Sequence, residues 1–375
     1  MGWASNKFEL SRGGRGQNML PMEGLRGFAV FLVFLVHYCT LIGNWITPDS
    51  AIAFWSSAIH TVGNVGVDLF FVLSGYLIYG SLISRKNPFI DFIRKRIARI
   101  YPVFCVVFVI YLCLSVVFPK ESKIPPETYA AAVYILQNFL LLPGLFPIDP
   151  LITVAWSLSY EMFYYLLIPA VITLFRLRQR SGQWRIVFFL IAGIAFGTYC
   201  AMRGGPVRLI MFNAGIMVYE VLCEHRPIAL RSWHSVMALV CAMLSMLLPL
   251  GSSCGEALKI LILAISFFVV CYWCFRHPDQ GLARVFSWKP LRWLGNMSYS
   301  YYLLHGLALN VGFRLLHRVI PAVSNEALFF VAMLLPMFIV TLVPTITLYL
   351  FVELPFSLVK PHVQAKMLCD FRKQA

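Results

Sequence analysis

The sequence predicts an all-α polytopic membrane protein, and three observations support this fold class. Of its 375 residues, 60% are hydrophobic and only 13% are charged, and the mean hydropathy is +0.77. A water-soluble domain of this size cannot bury so much apolar surface, so the bilayer must act as the solvent for most of the chain. The other two observations are about ten apolar runs of spanning length and the placement of basic residues between them.

Ten apolar runs are long enough to cross the bilayer as helices. An even number of crossings puts both ends of the chain on one side of the membrane. If that side is the cytoplasm, the segments facing it hold 24 of the 31 Lys and Arg residues, a strong positive-inside bias. The predicted spans are 24–43, 60–83, 100–118, 154–175, 184–202, 206–222, 233–250, 255–275, 291–313 and 325–352.

These runs predict one membrane domain between two short tails. Residues 1–23 are expected to be a cytoplasmic N-terminal tail, residues 24–356 the membrane domain, and residues 357–375 a cytoplasmic C-terminal tail. The first apolar run has about 20 residues and no signal-peptide cleavage pattern, so we expect it to remain as a membrane anchor.

Two segments differ from plain spans. Residues 86–99 combine basic and apolar residues, and they are predicted to form an amphipathic helix along the cytoplasmic interface. Residues 126–150 are apolar but interrupted by Pro143, Pro147 and Pro150. We expect them to form an outer cap or a re-entrant piece, which is tolerated at membrane depth only when it is buried against protein.

Two other classes of function are not favoured. The net charge of +15 does not predict nucleic-acid binding, because the basic residues occupy short loops between apolar runs. The ten cysteines are scattered, and the one CxxC pair, Cys271 and Cys274, lies in an apolar run without a second pair. No metal or disulfide site is therefore predicted.

Ionisable residues inside the predicted spans mark the candidate functional region. Arg26 opens the first apolar run and His37 follows eleven residues later, roughly 16 Å along the helix and almost on the same face. Asp68 and Glu161 fall in the outer parts of the second and fourth spans, and His305 lies in the ninth. Because ionisable groups in a membrane usually mark pathways or reaction centres, we expect these side chains to share one partly wet cavity.

The residue types of this cluster suit transfer to a hydroxyl group. A histidine near a carboxylate is the usual arrangement for deprotonating a hydroxyl, because the acid fixes the imidazole tautomer and stabilises the imidazolium. Arg26, with Arg96 and Arg99, offers bidentate anchors for phosphate on the cytoplasmic side. The cluster thus suits a phosphate-bearing donor from the cytoplasm and a hydroxyl acceptor that meets it within the membrane.

Structural roles are the alternative for each of these residues. Arg26 alone is typical of a positive-inside anchor, and the acids alone are typical of interhelical hydrogen bonds. The basic residues 94–99 also suit lipid headgroups. The coincidence of these residues at one depth favours the functional interpretation.

The same stretches resemble acyltransferase family 3, a family of integral membrane proteins, from about Glu23 to Phe356. Glu23 stands where the family commonly has Asp, a change that keeps the charge. Six elements match in family order: Arg26 and His37; Gly66, Asp68, Phe70, Phe71, Ser74 and Gly75; Arg96, Arg99, Tyr101 and Pro102; Trp156, Ser157, Leu158 and Glu161; Ser298, Tyr299, Tyr302 and His305; and Glu353 with Pro355.

This resemblance implies a ten-helix enzyme that takes an acyl group, most often acetyl, from a cytoplasmic coenzyme A thioester. Typical acceptors in the family are hydroxyls of surface or exported saccharides, and some members acylate macrolides. We therefore expect a bacterial inner-membrane enzyme with acyl-CoA as donor substrate, no bound cofactor, and a saccharide acceptor in free or lipid-linked form. Some members append an extracytoplasmic hydrolase-like domain, and a relay through such a domain is expected to need another protein.

The resemblance and the residue chemistry together give each position an expected role. His37 is assigned as general base or transient acyl acceptor, Asp68 as its orienting partner, and Glu161 to the acceptor or to the proton path. Direct transfer and an acyl-histidine intermediate need the same residues. The expected donor-binding residues are Arg26, Arg96, Arg99 and Ser74, and the expected acceptor-binding residues are Trp156, Tyr160, Tyr302 and His305.

Two rival hypotheses stay open at this point. In a proton-coupled transporter, His37, Asp68 and Glu161 would form a proton relay, and flux would follow the proton gradient without consumption of coenzyme A. The absence of repeat symmetry in the sequence and the basic entrance count against it. The second rival is an acyltransferase that acts on a macrolide-like small molecule or on a lipid.

Overall fold

The computed structural model describes residues 7–9, 20–84, 88–224 and 228–358, and the regular elements within these ranges are helical. In chain order they are α1 (Leu20–Ile42), α2 (Ala51–Gly63), α3 (Val65–Ile83), α4 (Phe89–Val117), α5 (Thr128–Phe139), α6 (Trp156–Leu174), α7 (Gly182–Arg203), α8 (Ile210–Cys223), α9 (Ser232–Ser245), α10 (Ser253–Arg276), α11 (Gly281–Phe286), α12 (Lys289–Asn296), α13 (Ser298–Val319), α14 (Glu326–Leu348) and a π-helical stretch, Tyr349–Leu358. The predicted all-α architecture is confirmed.

Seven helical segments in the described ranges are long and apolar enough to cross a membrane. They correspond to the first five predicted spans, the eighth and the tenth. These segments are Leu20–Trp45, Ala51–Ile83, Phe89–Val117, Thr153–Leu174, Gly182–Arg203, Ser253–Arg276 and Glu326–Leu358. The total of ten spans and the cytoplasmic orientation of the termini stay predictions.

The other three predicted spans are shorter or interrupted. Helices α8 and α9 have 14 residues each, which gives about 21 Å of helix against a hydrocarbon core of roughly 30 Å. The predicted span 291–313 is divided at Met297 into α12 and α13. Helix α13 has 22 residues but carries His305, Asn310 and Arg314, which lower its apolar character.

Residues 89–99 do not form the separate interfacial helix that the sequence predicted. They are the first turns of α4, which continues through Pro102 to Val117. The basic residues of this segment are therefore held on a long helix that reaches into the bundle.

In the predicted cap, residues 126–150, α5 is followed by an irregular segment. Asn138 secures this segment, since its amide oxygen accepts a hydrogen bond from Leu151 N at 2.6 Å.

Part of the predicted N-terminal tail belongs to the folded body. Residues 20–23 form the first turn of α1. Phe8 is buried and its ring stacks on Tyr349 at 5.3 Å. At the other end, residues 357 and 358 belong to the π-helical stretch, and the rest of the two predicted tails lies outside the described residues.

Helices α3 and α8 pack backbone to backbone. A Cβ atom on Gly75 would lie 2.1 Å from the carbonyl oxygen of Phe212, and one on Gly215 would lie 1.9 Å from the carbonyl oxygen of Val72. Small residues allow such close approach between helices in membranes. This contact sets the position of α3, which carries two of the predicted site residues.

Candidate active site

A cavity of about 280 Å³ lies between α1, α3, α4, α6 and α13. Six of the eleven predicted site residues line it: Arg26, Ser74, Arg96, Arg99, Glu161 and Tyr302. The remaining five lie outside its lining: His37, Asp68, Trp156, Tyr160 and His305. The structure thus divides the expected single cluster into a lined cavity and a group of residues beside it.

Three arginines form the basic part of the cavity wall. Arg26 Nη2 donates a hydrogen bond to Ser298 Oγ at 2.9 Å, and Arg96 Nη2 donates one to Ser81 Oγ at 3.2 Å. Arg99 lines the cavity without a hydrogen bond or an ion pair to any other described residue. Guanidinium groups bind phosphate through two parallel N–H bonds, so this wall offers a site suited to a phosphorylated ligand.

Helix α6 presents Ser157, Glu161 and Tyr165 to the cavity at a spacing of four residues, which places them on one helix face. The Tyr165 hydroxyl donates a hydrogen bond to the Glu161 carboxylate. The Arg96 guanidinium lies 5.2 Å from the centroid of the Tyr165 ring, a cation–π contact. Glu161 is the single carboxylate among the described lining residues, so the wall as a whole is positive.

His37 and His305 contact each other beside the cavity. Their ring centroids lie 4.9 Å apart with an angle of 69° between the ring planes. His305 is fully buried, whereas His37 is half-buried. His60 is also half-buried and is an electrostatic neighbour of His37.

The predicted common face of α1 is confirmed by its contacts with α13. Arg26 bonds to Ser298 at the start of α13, and His37 packs on His305 two turns later. The spacing of eleven residues on α1 therefore does bring both side chains to one neighbouring helix. Arg26 reaches the cavity, and His37 lies nearer the C-terminal end of α1.

Tyr302 connects the cavity to the histidine pair. It lines the cavity, and its hydroxyl shares a hydrogen bond of 2.8 Å with Ser157 Oγ. Its ring lies 6.2 Å from that of His305 and 6.0 Å from that of Phe70. A ligand in the cavity thus meets this tyrosine before it meets either histidine.

Asp68 has a different partner from the one that the sequence led us to expect. Its carboxylate is fully buried, and Oδ2 lies 3.3 Å from Arg208 Nη1. Neither carboxylate oxygen accepts a hydrogen bond within the described residues. Arg208 stands in a 3-10 turn, Val207–Leu209, immediately before α8. The observed partner of Asp68 is therefore Arg208 and not His37, and sequence analysis had given Arg208 no role.

Trp156 and Tyr160 form an aromatic cluster with Phe71 instead of lining the cavity. The ring of Phe71 lies 6.2 Å from that of Trp156 and 5.9 Å from that of Tyr160. These two of the four predicted acceptor-binding residues therefore pack behind the wall to which Phe71 belongs. Their contacts are those of packing residues.

A buried carboxylate secures the start of α13. Glu353 Oε2 accepts hydrogen bonds from the backbone nitrogen of Ser300 at 3.0 Å and from its hydroxyl at 2.6 Å. Glu353 lies in the π-helical stretch and is 1% exposed. It thereby holds the helix turn from which Ser298 and Tyr302 face the cavity. Sequence analysis assigned no role to Glu353, although the fifth matched element contains Ser298 and Tyr302 and the sixth contains Glu353.

Comparison with known proteins identifies a family and curated relatives to which this chain is similar. The model of the acyltransferase domain family matches residues 21–346. The O-acetyltransferase OatA of Staphylococcus aureus is 26% identical over 318 residues, covering 76% of this chain and 49% of that protein. The peptidoglycan O-acetyltransferase OatA of Listeria monocytogenes is 24% identical over 321 residues, covering 76% and 48%. The chain thus spans about half the length of the curated relatives it matches. No solved structure matches it significantly.

Proposed function

This chain belongs to acyltransferase family 3, and from that premise we propose that it is a membrane O-acetyltransferase that acts on a saccharide hydroxyl. The six sequence elements and the family model agree over nearly the same residues. The names of the relatives support acetyl as the transferred group and a cell-wall or surface saccharide as the acceptor. Seven apolar helices of spanning length support an integral membrane location, for which we propose the inner membrane of a bacterium.

One observation carries the choice of donor: Arg26, Arg96 and Arg99 share the wall of a single cavity. Coenzyme A brings several phosphate groups, and its acyl thioester is neutral and extended. Three guanidinium groups are suited to hold those phosphates, while the apolar part of the wall accommodates the pantetheine arm. Because most basic residues fall in the segments assigned to the cytoplasm, we propose that acetyl-CoA enters from that side.

The remaining residues receive roles from their positions. His37 is proposed as the general base that takes the proton of the acceptor hydroxyl, since it is half-buried and lies beyond Tyr302. Glu161 is proposed for the proton path or for the acceptor, because it faces the cavity. Ser74 lines the same cavity and is proposed as a donor contact.

Proton-coupled transport loses support as a rival. Asp68 pairs with Arg208, so the expected relay of His37, Asp68 and Glu161 has no continuous set of contacts among the described residues. Membership of an acyltransferase family also favours consumption of a thioester over the movement of a solute. Saccharide acylation is favoured over macrolide or lipid acylation by the names of the relatives.

The proposal is tested first with His37→Ala. Cells that carry the variant are given radiolabelled acetate, and the rate at which ester-linked label enters the envelope saccharides is normalised to the amount of inserted protein. We expect a loss of at least about 100-fold, the usual contribution of a general base. His317→Ala, an exposed histidine of α13, serves as the matched control and should keep the wild-type rate. Wild-type acetylation by inserted His37→Ala protein would refute the proposed base.

A second experiment tests the donor and the side from which it enters. Inside-out and right-side-out membrane vesicles receive labelled acetyl-CoA, which does not cross bilayers. We expect ester formation and release of free coenzyme A thiol in inside-out vesicles. Equal activity in sealed right-side-out vesicles would contradict entry from the cytoplasmic side.

A further inference from the structure

One ring nitrogen of His305 lacks a hydrogen-bond partner although the residue is fully buried. Its Nδ1 lies 2.9 Å from the backbone oxygen of Tyr301, and since a carbonyl oxygen only accepts, Nδ1 carries the proton. In the neutral ring, Nε2 therefore presents a lone pair. Within the described residues no group donates a hydrogen bond to it. A buried acceptor without a donor is unfavourable, so its persistence indicates a use.

The surroundings of His305 leave one ring able to supply that donor. Among the described residues, three rings contact it: those of Tyr301, Tyr302 and His37. The hydroxyl of Tyr301 is bonded to Thr341 at 2.7 Å, and that of Tyr302 is bonded to Ser157 at 2.8 Å. Both hydroxyls are thus engaged on other helices. Of these three described ring neighbours, His37 is the one whose imidazole N–H is not engaged in a hydrogen bond to another helix.

The separation of the two imidazoles suits such a bond. An N–H···N bond of about 2.9 Å between two five-membered rings puts the ring centroids about 5 Å apart. The observed distance between the centroids of His37 and His305 is 4.9 Å. A change in the relative orientation of the rings is then sufficient to make the bond, without any movement of α1 towards α13.

We propose that His305 is the positioning residue of His37, with its Nε2 accepting a hydrogen bond from the imidazolium that His37 becomes during transfer. This inference rests on the proposed function. In the step, the acceptor O–H bond breaks and its proton passes to His37, while the oxygen forms a bond to the acyl carbon. The C–S bond of the thioester then breaks, and the thiolate takes the proton from His37 to leave as coenzyme A thiol.

A neutral imidazole is a suitable partner at this depth. It stabilises the positive charge of His37 by an aligned hydrogen bond without adding a buried anion, which would need a cation of its own. The nearby buried anion, Asp68, is already paired with Arg208. The histidine pair also holds at most one extra proton, because two adjacent positive charges repel each other. His305 therefore fills the role that the sequence had assigned to Asp68.

Two amide substitutions separate this role from a structural one. In His305→Asn the short amide lies near the position of Nδ1 and preserves a bond to the Tyr301 carbonyl, but it leaves nothing at the position of Nε2. In His305→Gln the longer amide carries its oxygen to the Nε2 position, where it accepts the bond from His37. We expect His305→Gln to stay within about tenfold of the wild-type rate of acetate incorporation and His305→Asn to lose about 100-fold.

The order of the two variants in rate of acetate incorporation distinguishes a positioning role of His305 from a structural one. Equal rates, or a higher rate for His305→Asn, would overturn the inference, since a structural role needs only the Tyr301 bond. Acetyl-CoA binding by each purified variant should match that of the wild type, because His305 lies outside the cavity lining. Loss of acetyl-CoA binding in both variants would overturn it as well.

A double variant tests the inference even if one of the single variants folds less well than the wild type. In the His37→Ala background, His305→Asn should cause no further loss, because its partner is already gone. Independent, multiplicative losses would overturn the inference. If His37→Ala is inactive but His305→Asn and His305→Gln have equal rates, the proposed function stands and only the role of His305 is removed.

Discussion

The hydroxyl groups of Tyr302 and Ser157 lie 2.8 Å apart, and this bond joins α13 to α6 where the basic cavity ends. On the far side of the tyrosine, its ring packs on His305. Under the proposed function, the Tyr302 ring therefore lies between an acyl group bound near the arginines and the His305–His37 pair. The bond holds that ring in place, so its loss should change the chemical step more than the binding of the donor.

Removing the Tyr302 hydroxyl tests whether its bond to Ser157 affects the chemical step. Tyr302→Phe keeps the ring but breaks the bond to Ser157, which retains its own bond to the Val154 carbonyl at 3.1 Å. We expect the rate of acetylation to fall about tenfold, which corresponds to about 1.4 kcal/mol in the barrier. The rate of ester formation per inserted protein measures it, with Tyr199→Phe on the exposed face of α7 as the control. An unchanged rate would show that the bond is dispensable.

Loss of one cavity arginine should weaken donor binding specifically. Arg99→Gln removes a guanidinium that has no other hydrogen bond or ion pair within the described residues. A charged hydrogen bond to phosphate contributes roughly 1.5–3 kcal/mol, so we expect the KM for acetyl-CoA to rise about tenfold or more while kcat changes little. Arg94→Gln, which alters an exposed arginine of the same helix, is the control. A fall in kcat at constant KM would argue against phosphate binding by Arg99.

The Asp68–Arg208 pair should respond unequally to the loss of either partner. Asp68 is fully buried, whereas the Arg208 side chain is 27% exposed. Arg208→Gln leaves a buried carboxylate without its cation and should destabilise the protein by about 3–5 kcal/mol. Asp68→Asn leaves an arginine that can turn towards water and should cost less.

Thermal unfolding of the purified protein in detergent measures both changes, and the double variant gives the coupling between them. We expect the double variant to be more stable than Arg208→Gln alone. Equal destabilisation by the two single variants would contradict the unequal burial of the partners.

The contact between α3 and α8 should not tolerate a methyl group. Gly75→Ala places a Cβ atom 2.1 Å from the Phe212 carbonyl oxygen, so the helices must separate. We expect a loss of about 1–3 kcal/mol in unfolding free energy and a lower yield of monodisperse protein. Gly306→Ala is the matched control, because a Cβ atom there meets nothing within 4 Å and alanine favours the helix. Equal unfolding midpoints for the two variants would contradict the packing argument.

Local periodicity explains what the sequence could predict about the site. The spacing of Arg26 and His37 determined that both face one neighbour, because the helix repeat is the same in every context. The same argument, applied to α6, identifies Ser157 and Tyr165 as companions of Glu161, one turn before and one turn after it. Sequence analysis named Ser157 only as a matched family position and did not name Tyr165, because serine and tyrosine are also common packing residues.

The direction in which a side chain points around its helix axis is what the sequence could not predict. The sequence predicts similar depths for Asp68 and His37, but depth does not say which way a side chain points around its helix axis. The direction of Asp68 follows from the close contact of α3 with α8, which brings the turn carrying Arg208 to its carboxylate. That contact depends on residues 140 positions apart, and no local pattern encodes it. An apolar run likewise does not show where a helix ends, so two short helices and a divided one were predicted as full spans.

The bond between Glu353 and Ser300 has a consequence for biosynthesis. As the chain emerges from the ribosome, the helices that carry Arg26, Arg99 and Glu161 enter the bilayer well before residue 353 is translated. Until then the first turn of α13 lacks the carboxylate that anchors it. A nascent chain that stops short of this residue would lack both hydrogen bonds, so the first turn of α13 is anchored only after residue 353 has been translated.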